Sequence, residues 1–547
     1  MLLFPKRSSE SSLSIVEQGE AVLPGAPCSE RLGGQVTTIC HGAMRKTLYL
    51  FRMPVSGASF GMDFATPSTS ASPLYLRLAD HYLGAIESGA LSPGDRMPSV
   101  RDLTRLHKVS LSTAVQACHY LEDKGWLEAR PRAGYFVRRP QRAILPPSSE
   151  PASVSHIDAT QYLGIHERVS EFIVRCEQFP ARVNFGNAYA SSDAYPASAL
   201  MRAANLALRH QPEMLVNPVP MHGHAAFRGV LARRALERGM RLTADDIVVT
   251  HGCTEAMNLA LRAVTQPGDR VAVESPTFFG LLQILQSLGL NCIEIPTSPQ
   301  TGISVEALSL AFDTYPDIRA VVVVPDFQNP LGCVMPDENK AALVCLCASR
   351  KVALVEDDTY AALGDDGEPL RALKSWDEEG GVIHCASMHK ILAPGMRLGW
   401  ISGGRWQTRI RMLKYAQSRP NDPLSQVAVA DYMGSGAFDR HLSRLRQLLR
   451  GRRAQIAESI ARYFPQGTRL TIPRGGMLLW VELPPLKSGQ SVFETALREG
   501  VRVAPGHIFT NSDRYNHYLR INSSLPFTPE ADQAMQRLAS IVHDQRA

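Results

Sequence analysis

The sequence contains no apolar run of about 18 residues, which is the length that a helix needs to cross a bilayer. Its N-terminus also lacks the apolar core of a secretory signal. These absences exclude an integral membrane protein and argue against secretion. We therefore expect a soluble protein of the cytoplasm with no membrane partner.

Cysteine pairs with the spacing of a metal site are absent as well. The ten cysteines are scattered, and Cys345 and Cys347 lie one residue apart in an apolar helical pattern. This arrangement predicts buried free thiols, a reducing compartment and no metal site.

A strong excess of charge of either sign is also missing. The net charge of +6 over 547 residues permits nucleic-acid binding without requiring it. The content of 44% hydrophobic and 20% charged residues is typical of a soluble globular protein, and the length predicts two or more domains.

Residues 1–70 mix Ser, Gly, Pro and isolated apolar residues without a helical or strand period, which predicts a disordered extension. Met62 stands just before the first organised segment, so a second hypothesis is that translation begins there. An intact mass that includes Met1 would exclude this second hypothesis.

Residues 71–138 show dense, regular patterning and are predicted to form a domain. An amphipathic helix over Leu74–Ser88 is followed by a short helix from Pro98-Ser99, in which Ser99 is positioned to cap. A second short helix is predicted over Thr113–Lys124, with a hairpin over Trp126–Val137. Two helices joined by a tight turn and followed by a hairpin indicate a winged helix-turn-helix.

Two stretches of this segment, Ser88–Leu103 and Gly134–Val137, resemble the DNA-binding module of the GntR family. The resemblance implies double-stranded operator DNA as a partner, with Arg101 and the start of the recognition helix near the DNA. Many family members carry arginine where this chain has Leu111. Arginines and short hydroxyl donors are the expected contacts to phosphate, namely Arg96, Arg101, Ser110, Ser112, Thr113, Arg130 and Arg132.

Residues 139–158 are rich in proline and serine and are predicted to be a linker. A helical pattern over Gln161–Glu177 follows, and helices then alternate with short apolar strands up to the C-terminus. This alternation predicts an α/β domain over 159–547 with a mostly parallel sheet. The predicted strands are Asp246–Thr250, Arg270–Val273, Ala320–Val324, Val352–Glu356 and Gly381–Ala386.

The run Ser387–Gly399 holds the most specific chemistry. Lys390 has a hydroxyl three residues before it, at Ser387, and a guanidinium seven residues after it, at Arg397. A lysine amine forms a Schiff base with an aldehyde, and the two flanking groups are suited to a phosphate. The pattern therefore predicts pyridoxal 5'-phosphate, at a loop that leaves a sheet edge.

A second phosphate contact is predicted where a strand ends at Gly252 and a helix opens. The backbone N–H groups of Cys253 and Thr254 would point at the anion from the positive end of that helix. With Lys390, these motifs resemble the aspartate aminotransferase superfamily, the fold type I pyridoxal phosphate enzymes, over residues 183–545. The resemblance also implies a smaller C-terminal α/β subdomain, to which Gly475–Met477 and Gly506–Phe509 would belong.

The same resemblance assigns further residues. It implies that Phe278 stacks on the pyridine ring and that Asn329 donates to the phenolic oxygen. Asp357 would hold the pyridine nitrogen protonated; it is preferred to Asp358 because Tyr360, three residues later, matches the partner of the phenolic oxygen. Lys390, Asp357 and Tyr360 are thus the expected catalytic residues, and Arg520 would bind a substrate carboxylate.

One departure from the family concerns a tyrosine that many relatives contribute from the partner subunit. Residues 196–222 contain no tyrosine, whereas relatives place one shortly before the position of Gly223.

A GntR-like module fused to an aminotransferase-like domain resembles the MocR-type subgroup of transcriptional regulators. This implies a homodimer that senses pyridoxal phosphate, an amino acid or an amine and thereby repositions its DNA-binding module. One alternative is a working aminotransferase acting on an amino acid. Another is a binding module that holds no cofactor.

Overall fold

The computed structural model describes residues 73–87, 90–130, 133–138, 148, 165–485 and 487–545. Predictions for residues 1–70, including a start at Met62, for nearly all of the linker and for Arg132 fall outside these ranges. Within them, no helix is both long and apolar enough to cross a membrane. The same residues hold no cluster of metal-ligating side chains.

The N-terminal part of the described chain has the predicted winged helix-turn-helix. The wing is an antiparallel pair in which Leu127 opposes Val137. The elements are α1 (Leu74–Glu87), α2 (Val100–His107), α3 (Leu111–Asp123), β1 (Leu127–Arg130) and β2 (Gly134–Val137).

Both short helices of this module begin at a serine cap. The Ser99 hydroxyl accepts the backbone N–H of Asp102 at 3.2 Å, as predicted. The Ser110 hydroxyl accepts the N–H of Thr113 at 3.1 Å, so α3 starts at Leu111, two residues before the predicted start. Gly125, with φ of 76°, ends α3.

The larger part of the described chain, after the linker, is built on an eight-stranded sheet in the order β4-β11-β10-β9-β8-β5-β6-β7. The five strands from β10 to β6 run parallel, and β11 and β7 are antiparallel to their neighbours, so the sheet is mostly parallel as predicted. The strands are β4 (Val248–Thr250), β5 (Arg270–Ser275), β6 (Asn291–Ser298), β7 (Gly302–Ile303), β8 (Ile318–Val323), β9 (Ala353–Asp358), β10 (Val382–Ser387) and β11 (Gly399–Ser402).

Each predicted strand differs from the observed strand by one or two residues at one or both ends, and for β4 the reason is clear. Residues Ala244–Asp246 form a short 3-10 turn and not the start of β4. The Asp246 carboxylate accepts the backbone N–H of Thr243 at 2.8 Å, which closes this turn before the strand begins at Val248.

Helices cover both faces of the sheet and bury three large apolar clusters, as the alternating pattern requires. Cys347 is buried in α10, but Cys345 is exposed, so the prediction of buried thiols is wrong for Cys345. Helical periodicity places two residues that are two apart on different faces. The helices are α4 (Ile165–Gln178), α5 (Ala197–His210), α6 (Ala225–Glu237), α7 (Cys253–Val264), α8 (Phe279–Ser287), α9 (Val305–Thr314), α10 (Asp337–Ser349), α11 (Gln407–Gln417) and α12 (Pro423–Met433).

A smaller C-terminal subdomain follows the 28-residue helix α13 (Gly436–Tyr463). Its sheet has the order β12-β13-β16-β15 and is antiparallel throughout. The short strand β3 (Val183–Asn184) pairs in parallel with β14, so the chain just after α4 is tied to this subdomain. The remaining elements are β12 (Arg469–Thr471), β13 (Leu478–Glu482), α14 (Gly489–Arg498), β14 (Val501–Arg502), β15 (Ala504–Pro505), β16 (Tyr518–Asn522) and α15 (Pro529–Asp544).

Candidate cofactor site and DNA-binding module

Lys390 lies three residues beyond the carboxyl end of β10, on the loop that the sequence predicts. Its Nζ is 4.4 Å from the ring centroid of Tyr189 and 5.8 Å from that of Tyr360. Burial, followed by the charge of Arg520, lowers the pKa of Lys390 to about 7. A large share of this amine is therefore neutral near pH 7, which is the nucleophilic form.

Asp357 occupies the end of β9 and faces Lys390 and α7. The Thr359 hydroxyl and the Cys253 thiol both donate to its Oδ1, at 2.5 and 3.1 Å. Burial raises the pKa of Asp357, while these two donors and Lys390 oppose the rise. No described residue hydrogen-bonds to Oδ2, so one carboxylate oxygen is left for a ligand.

Asp358, the rejected alternative, lies on the other face of β9. It forms ion pairs with Arg238 and with His384, the latter at 3.2 Å. Burial alone would raise the pKa of Asp358, but Arg238 and His384 lower it to about 2. Adjacent strand residues point to opposite faces, which is why only Asp357 faces the lysine.

The candidate phosphate turn lies between β4 and α7. Gly252 has φ of 84°, and α7 begins at Cys253, so the first N–H groups of a 12-residue helix are exposed at this end. Gly399 of β11 packs so closely on Gly252 that a Cβ at Gly399 would lie 2.6 Å from the Gly252 Cα. This contact requires glycine at position 399 and joins the turn to the strand after Lys390, whereas a Cβ on Gly252 would lie 2.5 Å from the His389 ring.

Of the two residues that flank Lys390, Arg397 contacts this turn directly, whereas Ser387 pairs across the sheet with Gly399, which packs on Gly252. Arg397, in the left-handed conformation with φ of 52°, donates to the carbonyl of His251 at 3.3 Å. Ser387 is buried, and its hydroxyl accepts the backbone N–H of His389 at 3.1 Å. Residues about 140 apart in sequence thus surround one end of the site.

The opposite end of the site holds Arg520, which is 1% exposed on β16. Its Nη1 donates to Asn329 Oδ1 at 3.1 Å, and its Nη2 donates to the carbonyls of Gly186 and Asn187 at 2.5 and 3.3 Å. Its Nε is buried without a hydrogen-bond partner among the described residues. Burial lowers the pKa of Arg520 to about 10, which leaves the guanidinium charged at neutral pH.

Tyr360 lies close to Lys390, whereas Phe278 contacts none of the other predicted site residues. Tyr360 is buried, and its ring lies near Lys390. Phe278 is half-buried at the start of α8 and packs on Gly280 and on Phe279, with ring centroids 4.9 Å apart in the second contact. The structure gives Phe278 no contact with the other predicted site residues, so its stacking role stays a prediction.

The sequence did not indicate two residues of the site, Tyr189 and Asn187, or the side-chain contact of a third, Cys253. Tyr189 covers Lys390, Asn187 contacts Arg520 through its backbone, and the Cys253 side chain bonds to Asp357. The first two lie in the irregular segment after β3, which has no recognisable motif. Cys253 was predicted for its backbone N–H alone.

In the winged helix-turn-helix, the described residues predicted to meet DNA lie at its surface. Arg101 is exposed on the first turn of α2, while Ser110, Ser112 and Thr113 cluster at the N-terminus of α3. The backbone of Arg96 forms an antiparallel β-bridge with Phe136 in the wing. The Arg130 guanidinium lies 4.4 Å from the Phe136 ring centroid.

Comparison with known proteins divides the chain in the same way. Residues 74–137 match the bacterial regulatory proteins of the gntR family, and residues 186–538 match aminotransferase class I and II, a family that depends on pyridoxal phosphate. The chain is 36% identical to the HTH-type transcriptional regulator YjiR of Escherichia coli, with 86% of this chain and 98% of YjiR covered. It is 26% identical to the probable rhizopine catabolism regulatory protein MocR of Rhizobium meliloti, with 79% and 86% covered.

The kynurenine aminotransferase of Pyrococcus horikoshii has a similar structure. Its TM-score is 0.65 at 26% identity, with 70% of this chain and 95% of that enzyme covered. The match is confined to one part of this chain, whereas the match to YjiR extends over both parts. The chain therefore belongs to the MocR-type subgroup of the GntR family, in which a winged helix-turn-helix is fused to a class I and II aminotransferase domain.

Proposed function

We propose that this protein is a pyridoxal phosphate-dependent transcriptional regulator, which binds operator DNA and senses the cofactor or an amino acid or amine. One observation supports this more than any other. Lys390, whose pKa is lowered to about 7, lies close to a carboxylate and to a buried arginine, in the same chain that has a winged helix-turn-helix. The proposed domains are 71–138 for DNA binding, 139–158 as linker and 159–547 for cofactor binding, after an N-terminal extension.

The residues of the site fit pyridoxal phosphate. Lys390 would hold the aldehyde carbon, and Asp357 would accept the pyridinium N–H at its free Oδ2. When bound, the cofactor supplies an aldehyde that reacts with amines and a ring that withdraws electrons. Backbone and side-chain donors are available for the phosphate at Gly252, Cys253, Thr254, Ser387 and Arg397, with Phe278, Asn329 and Tyr360 as the proposed contacts to the ring.

Arg520 favours an effector with a carboxylate. A guanidinium fits a carboxylate bidentately, and the present acceptors of Arg520 are uncharged oxygens of Asn329, Gly186 and Asn187. A carboxylate is a stronger acceptor than any of them. An α-amino acid would therefore place its amine at Lys390 and its carboxylate at Arg520.

The segment 183–193, here named the strap, offers a route from the ligand to the DNA-binding module. Asn522 holds it through the Phe185 carbonyl at 2.7 Å and the Tyr189 carbonyl at 2.8 Å. Arg452 donates to the Ser191 hydroxyl at 2.7 Å. Because the strap follows the linker and α4 in sequence, a ligand that takes Arg520 from Gly186 and Asn187 would loosen a segment that is joined to the linker through α4.

The test of this function combines two measurements on the full chain. The first is binding to DNA upstream of its own coding sequence, titrated with pyridoxal phosphate and with common amino acids. The second is a keto-acid assay for transamination. A ligand-dependent change in DNA affinity supports the proposal, whereas many turnovers with no DNA binding would establish the aminotransferase alternative. Light scattering tests the proposed homodimer, and fractionation tests the proposed cytoplasmic location.

Replacing Arg101 tests the DNA-binding surface. We expect Arg101→Ala to weaken operator binding and to reduce the slope of log K against log salt by about one, because one phosphate contact is lost. Cofactor uptake should not change. The exposed Arg77→Ala on α1 is the matched control and should keep the wild-type slope. Equal slopes for wild type and Arg101→Ala would contradict the assignment.

The lowered pKa of Lys390 predicts how cofactor uptake depends on pH. Only the neutral amine condenses with an aldehyde, so the uptake rate should rise about tenfold per pH unit below 7 and level off above about 8. The measurement is the absorbance change after mixing apoprotein with pyridoxal phosphate from pH 5.5 to 9. Nα-acetyl-lysine in solution is the control. Its rate of condensation with pyridoxal phosphate should keep rising with pH up to the ordinary lysine pKa of about 10.4. A protein rate that follows this control would contradict the prediction.

A further inference from the structure

A buried ion pair lies beside the candidate phosphate turn. The side chain of Lys414, on α11, is 0% exposed, and its Nζ donates to both carboxylate oxygens of Glu255, at 3.1 and 2.9 Å. Glu255 is the third residue of α7, and its side chain is 8% exposed. Taking two charges out of water costs free energy that their mutual attraction often does not recover. The pair therefore calls for a reason other than stability.

The carboxylate of Glu255 is fixed next to the residue that enters the turn. Its Oε2 accepts the backbone N–H of His251 at 2.6 Å. The carbonyl of His251 in turn accepts a hydrogen bond from Arg397 at 3.3 Å. Both backbone polar groups of His251 are thus held, so Glu255 helps to set the conformation of the chain that leads into Gly252.

This position of Glu255 creates a conflict of charge. The N-terminus of a helix attracts a phosphate through its free N–H groups and its positive end. A carboxylate in the first turn of the same helix repels that phosphate, most strongly where burial excludes water. Burial would raise the pKa of Glu255, but hydrogen bonds from Ser418 and from the backbone, with the charge of Lys414, lower it below its ordinary value. Glu255 is therefore an anion at neutral pH.

Lys414 supplies the opposite charge at the place where the conflict arises. Besides Glu255, the Ser418 hydroxyl and the Asn421 Oδ1 each accept from its Nζ at 3.1 Å. These two acceptors are uncharged, so they orient the ammonium group without offsetting its charge. The charges of Lys414 and Glu255 then sum to zero, and the N-terminus of α7 stays available to an anion.

We propose that Lys414 is a positioning residue that sets the preference of this site for the phosphorylated form of the cofactor, by neutralising Glu255. This inference rests on the proposed binding of pyridoxal phosphate. Lys414 acts through Glu255 and not as a catalytic residue. If the pair served only to join α7 to α11, its loss would affect phosphorylated and unphosphorylated ligands alike.

Two ligands measure this preference on the full chain. Pyridoxal phosphate and pyridoxal share the aldehyde and the ring, so the ratio of their dissociation constants reports on the phosphate alone. Both constants come from the absorbance band at about 420 nm. We expect Lys414→Met to weaken pyridoxal phosphate by about tenfold or more and pyridoxal by less than about threefold, because the unpaired carboxylate repels only the phosphate. Equal losses for the two ligands would overturn the proposal.

A double variant separates charge from shape. Glu255→Gln combined with Lys414→Met removes both charges, keeps an acceptor for the His251 N–H and should restore the ratio to within about threefold of wild type. If Lys414→Met fails to fold, Glu255→Gln alone decides, since it leaves the ammonium unopposed and should raise the phosphate preference by about threefold or more. A folded double variant that stays as poor as Lys414→Met, or a folded Glu255→Gln without the rise, would refute the role of the pair.

Lys374→Met is the matched control. Lys374 forms a buried pair with Asp377 at 3.3 Å, with side chains 9% and 5% exposed. Its Nζ donates to the carbonyl of Val382, at the opposite end of β10 from Lys390. This variant should keep the wild-type ratio, and a loss equal to that of Lys414→Met would overturn the specific role of Lys414.

The same titrations separate this inference from the proposed function. If wild type binds neither ligand, the proposed cofactor is wrong and the inference fails with it. If wild type binds pyridoxal phosphate but Lys414→Met loses both ligands equally, only the inference about Lys414 fails.

Discussion

Lys390→Ala should abolish the absorbance band at about 420 nm that a lysine-bound pyridoxal phosphate produces, because no other described amine contacts Tyr189 and Tyr360 in this site. The expected loss is complete, since a covalent bond is removed. DNA binding without ligand should stay at the wild-type level, because Lys390 lies outside the winged helix-turn-helix.

Lys390→Arg is the matched control for charge. The guanidinium keeps a cation in the site but does not condense with an aldehyde, so this variant should also lack the band. A band that persists in both variants would show that a different lysine holds the cofactor. Loss of basal DNA binding in Lys390→Ala would contradict the proposed division of labour between the two domains.

Arg520→Gln should weaken the response to α-amino acids by about thirtyfold or more. Removing one partner of a buried, hydrogen-bonded charge pair costs about 2–5 kcal/mol, and Arg520 is 1% exposed. The measurement is the amino acid concentration that gives a half-maximal change in DNA affinity or in the cofactor spectrum. Arg319→Gln is the control, because Arg319 is 60% exposed on β8.

An amine that lacks a carboxylate distinguishes the loss of the carboxylate contact from a general folding defect of Arg520→Gln. It should act equally on wild type and on Arg520→Gln, since it makes no contact with the guanidinium. Arg520→Lys, which keeps the charge but loses the bidentate geometry, should fall between the two. An unchanged amino acid response in folded Arg520→Gln would remove Arg520 from the ligand site.

Local motifs made much of this architecture predictable. Ser99 begins α2 as predicted, through a contact with a residue three positions later. Ser387, Lys390 and Arg397 fall on one loop, and their spacing alone indicates a phosphate and an aldehyde. Such signals depend on backbone conformation over one or two turns, which a short stretch of sequence encodes.

Local sequence does not distinguish Asp357 from Asp358. Both carboxylates end the same strand, and the sequence preference for Asp357 came from a resemblance to a family. The structure distinguishes them by their partners, since Cys253 bonds to Asp357 while Arg238 pairs with Asp358. These partners are more than a hundred residues away in the chain.

By itself, the sequence determined the two-part plan of the protein, its mostly parallel sheet and the lysine that would hold a cofactor. Each of these follows from hydrophobic period, helix caps or short-range spacing. Only the tertiary structure decided that Tyr189 covers Lys390, that the strap occupies Arg520 and that Arg238 pairs with Asp358 on the other face of β9. Those features arise where distant segments pack together, and side-chain packing between such segments has no periodic signature in the sequence.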